Sequence, residues 1–222
     1  VEETVGEQKK RAAVVVGRFQ PPTIGHYSVF DTVKKFIRKN ADLKLDAVPI
    51  VVVIAGEKTS KDKTRNPLTA SERISFMKAS GKADGIRFIE AKSAFDAFEA
   101  VRASGFEPIA VASGSDRGGN YLKMLDTYFK SRDGSAIKHH SIVVSRLSEG
   151  TEKTKNEEEL DNILAHMGED IPVSMVSASL ARRAVVKNAF KEFAIIVGLT
   201  HNENLATKLF NKIKKSIGVN DA

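Results

Sequence analysis

The chain has no cysteine and no tryptophan in its 222 residues. The missing thiols exclude disulfides and thiolate metal sites, and they fit a cytoplasmic location. No run approaches the roughly eighteen apolar residues that cross a bilayer, so no membrane role is expected. The first residues lack the charged-then-apolar pattern of a signal peptide. Aromatic residues make up 7% of the chain and are not interleaved with basic ones, which argues against single-strand nucleic-acid binding. Two nucleotide-binding signatures are missing as well: the Gly-Lys-Ser/Thr of a Walker loop and the glycine spacing of the dinucleotide fingerprint. No cluster of His, Asp and Glu suggests a dedicated metal cage, and no internal repeat is visible.

What is present reads as globular, with 41% hydrophobic residues. The length suits one large domain, or one domain with an appendage. A polar tether is expected over 1–11, a core domain over 12–187 and a C-terminal helical extension over 188–222 packed on that core. A start at Val1 rather than Met is expected of a processed chain or of a piece of a longer polypeptide. Basic residues exceed acidic ones by 35 to 28, for a net charge of +7. The excess is scattered, with local groups at Lys58, Lys61, Lys63, Arg65 and at Lys208, Lys212, Lys214, Lys215. Such a surface suits small phosphorylated substrates better than a nucleic-acid footprint.

Strand-like and helix-like runs alternate. Strands are predicted at Ala12–Val16, Val48–Ala55, Ile86–Glu90, Pro108–Ala112 and Ser141–Leu147. Helices are predicted at Tyr27–Lys39, Thr69–Ala79, Ala94–Ala103 and Tyr121–Phe129, with Thr69 and Glu72 forming a capping box. This order predicts an α/β fold: a Rossmann-like, doubly wound parallel sheet of about five strands with a C-terminal helical extension. Gly56–Pro67 reads as a polar loop and Ser148–Asp161 as a charged surface excursion. Its Glu157-Glu158-Glu159 run is either a solvated face or a helix start. From Ser177 onward the pattern is helical, with Ala194–Val197 either a short strand or a buried helix segment. Leu205, Leu209, Ile213 and Ile217 mark the docking face of a final helix over Glu203–Ile217.

Four short stretches carry the chemistry, each at a strand end or a helix tip. In the first, Gly17 to His26, two prolines forbid helix before Thr23, and Thr23, Gly25 and His26 open one after it. Helix tips carry unpaired N–H groups and a partial positive charge, so they hold anions. A tight connection with His26 merely packed fits the spacing equally well. The second stretch holds Lys58, Arg65 and Arg73 within reach of phosphates, although a solvated loop and a routine capped helix would look the same. The third, Ser113-Gly114-Ser115-Asp116-Arg117, is a small-residue turn able to read a base edge, or simply a turn. The fourth, Val176 to Arg183, puts Ser177 and Ser179 at a second helix tip with Arg182 one turn on; a serine N-cap with a surface arginine gives the same pattern.

Together these stretches resemble a known family. Gly17-Arg18-Phe19-Gln20-Pro21, with Thr23-x-Gly25-His26, is similar to the Thr/His-x-Gly-His signature of the nucleotidylyltransferase superfamily. It is most like the nicotinamide-nucleotide adenylyltransferase and cytidylyltransferase-like branch. Asn66 to Arg73 resembles that branch's Asn-Pro-Phe-Thr-Ala-Gly-Glu-Arg segment, and Val176-Ser177-x-Ser179-x-x-Arg182 resembles its closing motif. The resemblance implies that His26 contacts the triphosphate bridge, with Thr23 in place of the first histidine. It implies that Ser177, Ser179 and Arg182 hold the β- and γ-phosphates. Gly17, Arg18, Phe19 and Gly25 would belong to the nucleotide pocket, and Gly114, Ser115 and Asp116 would lie near adenine and ribose. The implied reaction is adenylyl transfer from ATP to nicotinamide or nicotinate mononucleotide, with pyrophosphate released and magnesium arriving with the triphosphate. Cytidylyl transfer to another small phosphorylated acceptor, and a catalytically idle domain of a larger assembly, are the alternatives. A homo-oligomer also fits the resemblance.

Overall fold

The computed structural model describes residues 10–40, 47–114, 118–133, 140–144 and 155–219. Its centre is a parallel sheet of β1 (Lys10–Gly17), β2 (Ala47–Ile54), β3 (Arg87–Ala91), β4 (Phe106–Gly114) and β5 (His140–Val144), in the order β3-β2-β1-β4-β5. Lys10 and Arg11, predicted as tether, are the first residues of β1: they pair with Phe106 and with Ala47 and Glu107 through the main chain, which needs no apolar side chain. Residues 145–147 of the predicted fifth strand lie outside the described residues.

The two prolines inside strands sit where a missing N–H does least harm. Pro49 pairs with Ala13 of β1, one residue before β3 joins the other side of β2 at Ile50. Pro108 opposes Ala12 at a register shift, before β5 joins at Ala110.

The period-two alternation of the central strands gives the sheet two apolar faces. Ala13, Val15, Val51, Val53, Ala110 and Ala112 face α1 (Ile24–Asn40) and α3 (Ala70–Ala79), where Phe30, Val33 and Met77 are buried. Ala12, Val14, Ile50, Val52 and Val111 face α4 (Ala97–Ala103) and α5 (Gly118–Asp133), where Phe98, Val101 and Leu125 are buried. Gly56–Pro67, predicted as loop, contains a five-residue helix, α2 (Glu57–Lys61), with no apolar face to announce it.

A third apolar cluster lies beside the sheet. It joins α6 (Glu157–His166), α7 (Ala178–Val186), α8 (Phe190–Ile196) and α9 (Glu203–Ile217) around Leu180, Phe193, Leu209 and Ile213. Ala194–Val197 is the buried helix segment of the two alternatives. The charged excursion is corrected from Glu157 onward. Asn156 and Glu159 form a capping box, the three glutamates complement the helix dipole, and Leu160 and Leu164 are buried. Leu160, Ile163 and Leu164 do follow helical spacing, but only the first falls within the stretch read as an excursion. Residues 148–154 lie outside the described residues. No helix among the described residues is long and apolar enough to cross a membrane.

Ion pairing ties α6 to α7. Arg183 donates to Asp161 through Nε and Nη2, at 2.6 and 2.7 Å, and through Nη1 to Glu157 at 2.8 Å. Lys187 adds a contact to Asp161 at 3.1 Å. The hydrogen bonds from Arg183, then those from Lys187, hold the Asp161 carboxyl well below the usual carboxylate range. The folded value is the lower one, so this stabilisation is complete above the unfolded pKa of about 3.9 and is lost as pH falls toward the folded value. The melting temperature, followed by circular dichroism, is expected to fall below about pH 4. Asp161→Asn should melt lower at neutral pH and decline less steeply in acid; parallel curves for the two proteins would contradict the assignment.

Candidate active site

The strand order reverses direction between β1 and β4, and the carboxyl ends of open α/β strands at such a switch point are where ligands bind. The loop following β1 crosses this edge. Its main chain makes an abrupt turn: Phe19 has φ of 52° and the Gln20–Pro21 peptide is cis. The Phe19 ring folds back over Gly17, where an added Cβ would lie 2.7 Å from the ring. The room left by the missing side chain at Gly17 is therefore filled by Phe19, not held open for a ligand. Phe19 is itself buried, and its ring meets His26 edge-on at 4.9 Å and Phe30 at 5.8 Å. It steadies the histidine from within the core rather than lining a pocket. Arg18, between them, is exposed.

Thr23 precedes α1, and His26 is the third residue of the helix. The Thr23 N–H donates to His26 Nδ1 at 3.0 Å, and Thr23 Oγ1 lies 3.0 Å from the same nitrogen. His26 thus plays the part that Glu plays in a capping box. Because Nδ1 accepts, the neutral ring carries its proton on Nε2. The cap fixes the tautomer that can donate to a phosphate. Gly25 lies beside main chain, with Val176 O and Val173 O at 3.7 and 3.8 Å from a Cβ built there. A Cβ there would make only ordinary van der Waals contacts, so the tip of α1 packs against the segment leading into α7 without the site requiring glycine.

At that second tip Ser177 is the N-cap, its Oγ accepting from Leu180 N at 3.1 Å. Arg182 reaches back across the gap. Its Nη1 donates to Gln20 O at 2.6 Å and its Nη2 to Ser179 Oγ at 3.1 Å. Burial pushes the Arg182 pKa down to about 10, and the nearby charges of Arg18 and Arg65 act in the same direction, opposed by Asp62. Arg182 remains charged at neutral pH, inside a cluster of like charge that an anion would relieve. Arg65 is 71% exposed and sits 3.8 Å from Asp62, whose carboxylate also caps the turn at Thr64.

Arg73 departs from expectation. It is only 2% exposed; Nη1 donates to Ile54 O at 2.8 Å and to Arg18 O, and Nε donates to Thr69 O at 3.1 Å. Its work is to hold loops, and it does not reach the crevice. Desolvation lowers its pKa to about 10. Gly114 ends β4 beside Val144. Ser115, Asp116 and the side chain of Lys58 lie outside the described residues.

Gln20 is the residue whose part the motif alone does not disclose. Its buried amide donates to Leu68 O at 2.7 Å and accepts from Leu68 N at 3.0 Å, matching both main-chain polar groups of one residue as a neighbouring strand would. A glutamine set between Phe19 and two prolines is the available signal, since an amide is the side chain that can answer a donor and an acceptor together. A cavity of about 300 Å³, lined in part by Ser60, Lys63, Asn66, Ser71 and Glu90, opens nearby at the ends of β2 and β3. A larger groove of about 610 Å³, between α6 and 167–175, contains none of the predicted site residues.

A parallel sheet with helix tips, a histidine and arginines gathered at its switch point is an α/β arrangement suited to anionic ligands such as nucleotides. Residues 14–184 match the family described as cytidylyltransferase-like, and the chain belongs to that family. No curated protein matches the chain.

Gln20→Leu keeps the bulk of the side chain and deletes both hydrogen bonds to Leu68. Each buried group left unsatisfied costs about 1–3 kcal/mol, so a loss of at least about 2 kcal/mol is expected in urea unfolding. A loss below about 0.5 kcal/mol would show that the loop is held without this amide.

Proposed function

We propose that the protein transfers an adenylyl group from ATP to a small phosphorylated acceptor, nicotinamide or nicotinate mononucleotide, and releases pyrophosphate. The observation that carries this reading is the Arg182–Gln20 contact, which draws two helix tips, His26 and three arginines to one crevice. An acceptor phosphate oxygen attacks the α-phosphorus; the new O–Pα bond forms as the bond to the β-phosphate bridge breaks, and the electron pair leaves with pyrophosphate. Such transfers need little covalent help, and positioning with charge stabilisation supplies the rate.

In this reading the His26 Nε2–H donates to the phosphates as charge builds on the departing bridge. Ser179 and Arg182, with the α7 tip, hold the β- and γ-phosphates, while Arg18 and Arg65 supply positive potential at the entrance. Magnesium enters as part of the triphosphate substrate. The acceptor side is supported by Phe95, which is 80% exposed in the turn after β3 and offers an aromatic face to a planar base. The polar cavity lined by Lys63 and Glu90 flanks the same strand end. The family description equally suits a cytidylyl donor, so the donor is the first thing to test.

Purified protein given magnesium, each of ATP, CTP, GTP and UTP, and either mononucleotide should release pyrophosphate fastest with ATP. His26→Ala should lower kcat/KM by at least about thirtyfold, or roughly 2 kcal/mol, as losing one transition-state donor does. Equal turnover by that variant would remove His26 from the chemistry. A preference for CTP would reassign the donor, and no turnover with any pair would leave a nucleotide-binding domain without transfer.

A further inference from the structure

We infer that α9, which lies beyond the residues matched by the family, sets the geometry of the nucleotide loop from behind, with Ser216 and Lys212 as positioning residues. The inference rests on the proposed nucleotide site for its consequence in binding, but not for its mechanical part.

Two contacts run from α9 to the loop. Ser216 Oγ donates to Pro67 O at 2.7 Å. The next residue, Leu68, buries its side chain in the cluster that contains Leu209, Phe210 and Ile213 of α9, and both its main-chain polar groups are taken by Gln20. Gln20 O in turn accepts from Arg182. Lys212, one turn before Ser216, pairs with Glu72 at 2.7 Å. Glu72 closes the capping box of α3, and its neighbour Arg73 holds Arg18 O. One face of α9 therefore reaches both ends of the loop, through Pro67–Leu68 to Gln20 and through Glu72–Arg73 to Arg18.

The two contacts are unequal. The Lys212–Glu72 pair is half-exposed at its lysine end, and exposed pairs contribute little. Ser216 supplies a donor to the carbonyl of a buried proline, and removing it leaves that carbonyl without this bond. Ala206, Leu209, Phe210 and Ile213 form the buried stripe of α9, with Leu205 and Ile217 partly buried against the same cluster. Ser216 stands beside that stripe, where alanine would serve packing equally well.

The test compares wild type, Ser216→Ala, Lys212→Ala/Ser216→Ala and Ser216→Thr by amide hydrogen exchange and by calorimetric titration with magnesium–ATP and with inorganic triphosphate. In Ser216→Ala and in the double variant, exchange in 17–26 and 64–73 should rise about tenfold, while β4 and α5 stay unchanged. ATP and triphosphate should bind about three- to tenfold more weakly, and Ser216→Thr, which keeps a hydroxyl, should restore both readouts. Faster exchange confined to 203–217, an equal rise throughout the sheet, or no rescue by threonine would overturn the inference. If wild type bound neither probe, the proposed function would fall, while the exchange data would still decide whether α9 holds the loop.

Discussion

The site depends on how the main chain after β1 is satisfied. Gly17 to Thr23 belongs to neither strand nor helix beyond its first residue, so its carbonyl groups need donors from elsewhere. Arg73 supplies Arg18 O, and Arg182 supplies Gln20 O. The Gln20 side chain meanwhile answers both polar groups of Leu68. A net hydrogen bond contributes about 1 kcal/mol, whereas a buried group left unpaired costs about 1–3 kcal/mol. The arrangement therefore persists chiefly because its alternatives are worse. It also fixes Phe19, whose ring fills the space over Gly17 and bears on His26.

This explains a division of labour among the arginines. Arg73 is enclosed and spends its donors on Thr69, Arg18 and Ile54 carbonyls. Arg65 is exposed beside Asp62 and adds its charge to the crevice without being tied to the loop. Arg182 lies between these limits: Nη1 serves the loop and Nη2 serves Ser179, a residue of the second tip. Burial lowers the pKa of Arg73 and Arg182 alike, to about 10, yet both stay charged at neutral pH. A guanidinium tolerates such burial better than an ammonium would, because its charge is delocalised and its donors are spread in a planar fork.

Most of the architecture was legible because it follows from periodicity. The apolar runs of β1, β2 and β4 and the α3 capping box are local patterns, and they survive folding unchanged. The helix tip at Thr23–His26 was legible for the same reason. Three features were not. The direction of Arg73 depends on carbonyls contributed by β2 and by the loop after β1, which no local pattern relates to it. The function of Gly17 depends on a ring two residues away that curls back through a positive φ at Phe19. Helix α6 hid because its first turn is three glutamates and its inward residues, Leu160, Ile163 and Leu164, straddle the end of the charged stretch. Hydrophobic pattern reveals an element that buries a broad face, and it is silent on one held by capping and ion pairs.

Segments distant in the chain keep a common geometry only where something directional joins them. Residues 18, 20, 26, 65, 179 and 182 come from three parts of the chain, and no regular hydrogen-bond ladder connects them. Leu68 provides the missing link, since its backbone binds Gln20 of the sheet domain while its side chain lies in the helical cluster of α6 to α9. Apolar contacts are non-directional, so the register of sheet and helical cluster rests on such bonds, together with Arg182 to Gln20 O and Ser216 to Pro67 O. Two directional bonds at one buried residue convert that contact into a defined register. The helical cluster, through Arg182 and Leu68, is therefore part of what holds the loop after β1.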